Sequence, residues 1–341
     1  MDTLAKRLLD GSRRALARAL TLIENDTENS QTILRELFPH TGNAQIIGMT
    51  GAPGTGKSSL VNALAQAYRQ RGKTVAIIAV DPTSPFSGGA ILGDRIRMRD
   101  LAGDKGIFIR SMATRGSLGG LSRKTRDAIR VLDAAGFDVI LVETVGAGQS
   151  EVDIVRTAQT TLVIEAPGLG DDVQAIKAGI LEIADILVVN KADRDGAQAT
   201  ERALKAMLDL GHPVDRTQIL DHHGQMMALE RSPEPIDNAS EMWLTPVVRT
   251  VATSAQGIDE LLETINSHQA HIRDETRFDQ LEGQRIQIEL LERLQGDIIS
   301  RIMANLPTDM LSELTQRIQS RELDPQQAVE LIIQSQELAQ S

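Results

Sequence analysis

The stretch Gly51-Ala52-Pro53-Gly54-Thr55-Gly56-Lys57-Ser58 fits the pattern G-x-x-x-x-G-K-[ST] at every fixed position. Its setting fits too. Ile46–Met49 before it reads as a short buried strand, and a helical pattern opens near Ser58. Glycines let backbone N–H groups converge on phosphate oxygens, and the N-terminus of the following helix adds partial positive charge. In this pattern Lys57 reaches the β- and γ-phosphates of a nucleotide, the Ser58 hydroxyl binds Mg²⁺, and the loop from Gly51 through Ser59 forms the cradle.

Outward from that loop, short apolar runs rich in β-branched residues recur at Gln45–Met49, Thr74–Val80, Ile107–Arg110, Asp138–Val142, Thr161–Glu165, Ile186–Asn190 and Val247–Val251. Helix-compatible stretches such as Ser58–Arg71 and Lys124–Ala135 separate most of them. Continuous apolar strands alternating with helices predict an α/β fold: a mainly parallel sheet covered by helices on both faces, here of the P-loop nucleotide-binding kind.

A second cluster lies far downstream. Ile186-Leu187-Val188-Val189 reads as a buried strand, and Asn190-Lys191-Ala192-Asp193 follows at once. Open α/β sheets bind ligands at that end of their strands. A carboxylate at Asp193 can accept from both the ring N–H and the exocyclic amine of guanine. Adenine presents an acceptor instead and would leave the charge unpaired. The Lys191 stem can cover a face of the base, and the backbone of Ser254-Ala255-Gln256, after Val247–Val251, can meet the guanine carbonyl. Asn190–Asp193 alone would equally suit a helix N-cap after a strand. Joined to the phosphate loop, it predicts GTP rather than ATP.

Between the two clusters lie candidate switch and metal residues. Glu143-Thr144-Val145-Gly146 closes the strand Asp138–Val142, where many GTPases carry Asp-x-x-Gly; the longer Glu143 arm can still act on Mg²⁺ through a water. Asp81, before Pro82, and Asp94, in a Gly-rich stretch, are candidates for Mg²⁺ or for positioning the water, although an Asp before Pro also starts turns and Asp94 can cap a helix. Gln149 can orient a water or simply open a helix. The loop Pro167–Asp172, leading to Lys177, suits a mobile element at a strand end. His222-His223 beside Gly224 reads as a solvated loop rather than a metal site.

Composition narrows the remaining classes. Aromatic residues make up only 2% of the 341 and the formal net charge is −11, which opposes a stacking platform or a basic groove for nucleic acid. There is no Cys, so disulfides and thiolate metal sites are excluded. No run approaches the roughly 20 apolar residues of a membrane span. The mixed-charge start, despite Arg13, Arg14 and Arg18, does not read as a leader, so a cytoplasmic protein without a membrane partner is expected.

Both ends of the chain read as helical. In residues 3–38, Leu4, Leu8, Leu9, Leu16, Leu20 and Ile23 recur at helical steps, and Pro39 closes the segment. After about residue 266 the strands stop. Leu291, Leu294, Ile298 and Ile302 lie on one side of a long helix, Pro307 interrupts it, and Asp324-Pro325 starts a further one. The expected parts are an N-terminal helical segment (1–43), a GTP-binding domain (44–266) and a C-terminal helical region (267–341). An apolar stripe there predicts a homodimer.

Taken together, these residues resemble the methylmalonyl-CoA mutase-associated GTPases, a family also named lysine/arginine/ornithine transport system kinases. The resemblance is carried by Gly51–Ser59, Val80–Asp94, Arg115–Leu121, Glu143–Glu151, Asn190–Asp193 and Thr253-Ser254-Ala255, and it runs from the N-terminal helices to the tail. It implies a chaperone that uses GTP to gate adenosylcobalamin loading into a methylmalonyl-CoA-type mutase and to protect or reactivate that enzyme. It also implies slow hydrolysis alone, stimulation by the mutase, and a C-terminal dimerisation arm. Under it the residues matching Asp81, Asp94 and Glu143 serve the Mg²⁺ and hydrolysis site beside Ser58, while Asp171 (or the adjacent Asp172) and Lys177 belong to a switch loop facing the partner. The alternatives are a metallochaperone GTPase, which should carry a His- or Cys-rich tract where this chain has six scattered His, and a P-loop small-molecule kinase, which has little need of guanine selection.

Overall fold

The computed structural model describes residues 3–82, 101, 103–114, 120–144, 154, 157–168, 183–210, 243–273 and 275–338. Its strands are β1 (Gln45–Thr50), β2 (Val75–Pro82), β3 (Ile107–Thr114), β4 (Val139–Thr144), β5 (Thr160–Glu165), β6 (Ile186–Val189) and β7 (Val247–Arg249). They form a seven-stranded sheet in the order β3-β2-β4-β1-β5-β6-β7, and every ladder is parallel. β1 lies between β4 and β5. The chain therefore builds outward on one side of it, returns, and continues on the other, which makes the C-terminal end of β1 the switch point where ligands bind such sheets.

The reason for the sheet is visible in its alternation. Val75 and Ile77 of β2, with Val139 and Leu141 of β4, pack on one face against α4 (Lys57–Gln70) and the helix Ile258–Ile272. Ala76, Ile78, Val80, Ile140 and Val142 pack on the other, against the helix Gly120–Ala134 and the N-terminal helices. With both faces buried, period-two strands read as continuous apolar runs.

In chain order the helices are α1 (Leu4–Leu9), α2 (Arg13–Glu24), α3 (Glu28–Leu37), α4, α5 (Gly120–Ala134), α6 (Ala197–Leu210), α7 (Ile258–Ile272), α8 (Glu275–Asn305), α9 (Met310–Gln319) and α10 (Pro325–Leu338). The helical pattern of residues 3–38 is thus broken twice, around Gly11 and Asp26, both at positive φ. Thr3 and Ser12 cap α1 and α2 by accepting first-turn N–H groups. These helices join the core of the sheet rather than standing apart. Arg13 donates to the Lys105 and Ile107 carbonyls of the β3 edge, Arg110 pairs with Glu24, and the Asp133 carboxylate accepts the N–H groups of Gly42, Asn43 and Ala44 ahead of β1.

The chain divides into two compact units, Met1–Arg285 and Ile286–Ser341. In the second, α9 packs on α10 with Leu314 and Ala328 buried. Asp324 caps α10, accepting from the N–H groups of Gln326 (2.7 Å) and Gln327 (3.0 Å). Ile286, Leu290, Leu294, Ile298, Ile299 and Met303 of α8 are exposed. None of the described helices is long and apolar enough to cross a membrane.

Candidate functional site

The loop after β1 has the conformation its glycines permit. Gly51 takes φ 141°, and a Cβ there would lie 2.1 Å from the Ile164 carbonyl oxygen of β5. Gly56 takes φ 93°, and a Cβ there would meet the Asn190 amide nitrogen at 2.5 Å. Both positions therefore demand glycine twice over, for backbone conformation and for close approach. Gly56 also caps α4 without a side chain, so no side-chain oxygen competes for the helix's first N–H groups.

Within the cradle, the buried Lys57 ammonium donates to the carbonyls of Gly51 (2.7 Å) and Ala52 (3.0 Å). Thr55 Oγ1 donates to the Ala52 carbonyl at 2.9 Å, which tightens the loop, while Pro53, Gly54 and Ser59 are exposed. At the second residue of α4, Ser58 Oγ donates to Glu143 Oε1 at 2.6 Å, and Glu143 is buried at the end of β4. Asp81 stands at the same edge of the sheet. It follows Val80, which pairs with Thr144, and it pairs with Ala113 of β3. The structure thus assembles Ser58, Glu143 and the Asp81 backbone at one end of neighbouring strands. Asp94, Gln149, Asp171, Asp172, Lys177, His222 and His223 lie outside the described residues.

The downstream cluster meets this loop directly. Asn190 Nδ2 donates to the Thr55 carbonyl at 2.9 Å, and Lys191 Nζ donates to the Gly54 carbonyl at 2.5 Å. Lys191 adopts φ 56°, a left-handed conformation that turns the chain sharply after β6. Asp193 is exposed on the following turn, and among the described residues its carboxylate makes no hydrogen bond. The third loop is closed by the bridge between Val251 and Gln256, with Val251 N–H donating to the Gln256 carbonyl at 2.9 Å. Ser254 and Ala255 project from it exposed, Ala255 at φ 56°. The Ala192 N–H donates to the Thr250 carbonyl (3.0 Å), fastening this loop to the Asn190–Asp193 turn. Glu201 of α6 pairs with Lys205 and Arg249, steadying β7; the hydrogen bond from Lys205 holds its carboxyl below the ordinary glutamate range.

Two hydroxyls at this edge carried no sequence signal. Thr144, the last residue of β4, donates from Oγ1 toward Thr50 Oγ1 (3.2 Å) at the end of β1, and both are buried. Only their position at the ends of strands read as buried could have suggested a role. The assembled edge offers loop N–H groups and an ammonium to phosphates, two hard oxygen donors beside them, and an exposed carboxylate next to a flexible cationic stem.

Comparison with known proteins agrees with this arrangement. The sequence profile of the family described as methylmalonyl-CoA mutase-associated GTPase MeaB matches residues 16–307. A Pyrococcus abyssi protein is 47% identical over 333 residues, covering 98% of this chain and 96% of its own length. GTPase ArgK of Escherichia coli is 34% identical over 305 residues, 88% of this chain and 85% of its own. The crystal structure of the LAO/AO transport system kinase superposes with a TM-score of 0.65 at 25% identity, over 99% of this chain and 97% of that one. With the family profile spanning the nucleotide loops and both ends of the sheet, the chain belongs to the methylmalonyl-CoA mutase-associated GTPase family and is a GTPase.

Proposed function

We propose that this GTPase acts as a chaperone of a cobalamin-dependent acyl-CoA mutase of the methylmalonyl-CoA type, gating adenosylcobalamin loading and protecting or reactivating the enzyme, in the cytoplasm. The reading draws on the family's description and on a relative called methylmalonic aciduria type A homolog, mitochondrial, of Caenorhabditis elegans. That relative is 39% identical over 247 residues, 65% of this chain and 62% of its own.

The observation that carries the site assignment is the Asn190–Thr55 hydrogen bond together with Lys191 on Gly54, which sets the phosphate loop beside the base-reading turn. In this reading GTP lies across both. Lys57 leaves the Gly51 and Ala52 carbonyls for the β- and γ-phosphates, the α4 N-terminus holds the phosphate chain, and Asp193 accepts from the guanine edge. Gly51–Ser59, Lys191 and Ser254–Gln256 complete the nucleotide contacts. Ser58 Oγ and Glu143 Oε1, two hard oxygens 2.6 Å apart, suit Mg²⁺, with Asp81 and Asp94 as further ligands or water holders. The ion would neutralise charge on the phosphate oxygens. Lys177 would act from the switch loop. The exposed apolar residues of α8 would be covered by a second copy of the chain.

Phosphate release from GTP, measured with and without a purified cobalamin-dependent mutase, tests the proposal. Hydrolysis should be slow alone and rise when the mutase is added. No acceleration, with no co-elution in any nucleotide state, would remove the mutase role and leave the GTPase. The base contact has its own test: Asp193→Asn should shift preference from GTP toward xanthosine triphosphate, because an amide can donate to the carbonyl that replaces the amine. Unchanged GTP affinity in that variant would place the carboxylate elsewhere.

A further inference from the structure

The geometry points to Thr250 as a positioning residue for nucleotide binding, acting through Asn190. Asn190 is 2% exposed and Thr250 1%. Thr250 directly follows β7, and its backbone is locked on both sides. Its N–H donates to the Val189 carbonyl (2.9 Å), and its carbonyl accepts from the Ala192 N–H (3.0 Å). Its hydroxyl then has one direction to serve, and it donates to Asn190 Oδ1 at 3.2 Å. The Ala252 N–H donates to the same oxygen at 3.2 Å.

Two donors on Oδ1 fix which end of the amide is oxygen. The amide nitrogen must therefore face the phosphate loop, where it donates to the Thr55 carbonyl (2.9 Å) and the Gly56 carbonyl (3.4 Å). Reversing the amide would set two donors against Oδ1's present donors and an oxygen against two carbonyls. Asn190 is thereby committed inside the protein at both ends of its amide. It holds the phosphate loop to the turn that carries Asp193 and to the Thr250–Gln256 loop, and Thr250 sets its orientation. The three loops form one hydrogen-bonded unit, so a nucleotide meets phosphate and base contacts that are already in register.

This inference deepens the reading that GTP lies across the two loops, and rests on it. Thr250→Val keeps the shape of the side chain but leaves a buried oxygen one donor short. In calorimetric titration the variant's Kd for GDP should rise about fivefold to tenfold, the scale of one buried hydrogen bond. Thr250→Ser, which restores a hydroxyl, should return it to the wild-type value. KM for GTP should rise by the same factor while kcat at saturating GTP stays within about twofold, since the hydroxyl touches no reacting group; a general loss of structure would lower both. In an Asn190→Ala background the Thr250→Val change should add less than about twofold, the non-additivity expected of residues acting through one another. If Thr250→Val does not fold, Thr250→Ala removes the same donor and carries the same comparison. An unchanged Kd in the variant, or a full multiplicative loss in the Asn190→Ala background, overturns the role of Thr250 alone. Wild-type protein that fails to bind GDP overturns the nucleotide reading itself, and this inference with it.

Discussion

The sheet unit and the C-terminal unit use the same apolar residues to opposite effect. In the sheet, Ile47, Ile77, Leu141 and Val163 are wholly buried, because the central strands have a helical layer over each face. In α8, Leu290 is 64% and Ile299 60% exposed, with Ile286 and Leu294 also open. Transfer of apolar surface from water is worth roughly 25 cal/mol per Å² wherever it occurs, so composition does not distinguish the two regions. The presence of a covering layer does. Met1–Arg285 carries within itself what its core needs. The helices from Ile286 onward pair α9 with α10 but leave much of α8 for another surface. The first unit gathers its polar loops at one edge of the sheet, and the second leaves an apolar face that the proposed homodimer would cover.

The sharpest way to break this contrast is at the phosphate loop. Lys57→Ala should lower kcat for GTP by about 10² to 10³, the usual cost of removing one preorganised donor from a charged transition state. It should leave the oligomeric state of the apo protein unchanged. Phosphate release and light scattering measure the two; a variant that hydrolyses GTP normally would show that the ammonium does not face the phosphates.

Next in size is a matched pair of truncations. Leu141→Ala, at a position with no exposure, should lower unfolding stability by about 2–5 kcal/mol in denaturant titration, because a packed layer on each side cannot close the cavity. Leu290→Ala should cost the isolated chain well under that, roughly 0.5 kcal/mol or less, as for other surface changes. Its effect should appear instead as a weaker dimer in sedimentation, with thermal unfolding that depends more steeply on protein concentration. Equal losses of monomer stability at the two positions would mean that α8 is covered within one chain.

Much of the fold was legible in the sequence for a physical reason. Strands buried on both faces must be apolar without interruption, so all seven stood out, and none of their ends moved by more than four residues. The phosphate loop was legible because its glycines answer local demands of φ and close approach at Gly51 and Gly56. The pairings across the site were not. Ser58 meets Glu143 and Asn190 meets Thr55, partners 85 and 135 positions apart, and no local pattern records such distances. The same holds at the far end of the sheet. There His268, 1% exposed, lies between Thr160 Oγ1 (2.9 Å) and Asp185 Oδ1 (3.3 Å) with Trp243 against its ring. His268 is thus a satisfied core residue, and only the fold distinguishes it from the exposed His40.

An effect smaller than that of Leu141→Ala, and dependent on pH, is expected at that far end, where it should leave the nucleotide untouched. Asp138, just before β4, accepts the Thr74 N–H and the Thr74 hydroxyl (2.8 Å each) and pairs with Lys73 (3.2 Å), tying the start of β4 to the start of β2. Burial pushes its carboxyl upward, but the two Thr74 hydrogen bonds and Lys73 outweigh that and hold it below the ordinary aspartate value. A depressed carboxyl stabilises the folded state above its unfolded pKa of about 3.9, and the contribution is lost as pH falls through the lower folded value. The side chain is 38% exposed, so solvent screening limits the gain. Asp138→Asn should therefore lower stability by about 1 kcal/mol at pH 7, and the difference from wild type should begin to shrink below a pH of about 3.9 and close as pH falls through the lower folded value. Denaturant titrations at both pH values measure it, with GDP affinity at pH 7 as the control. A deficit that persists undiminished in acid would mean that the loss comes from shape rather than charge.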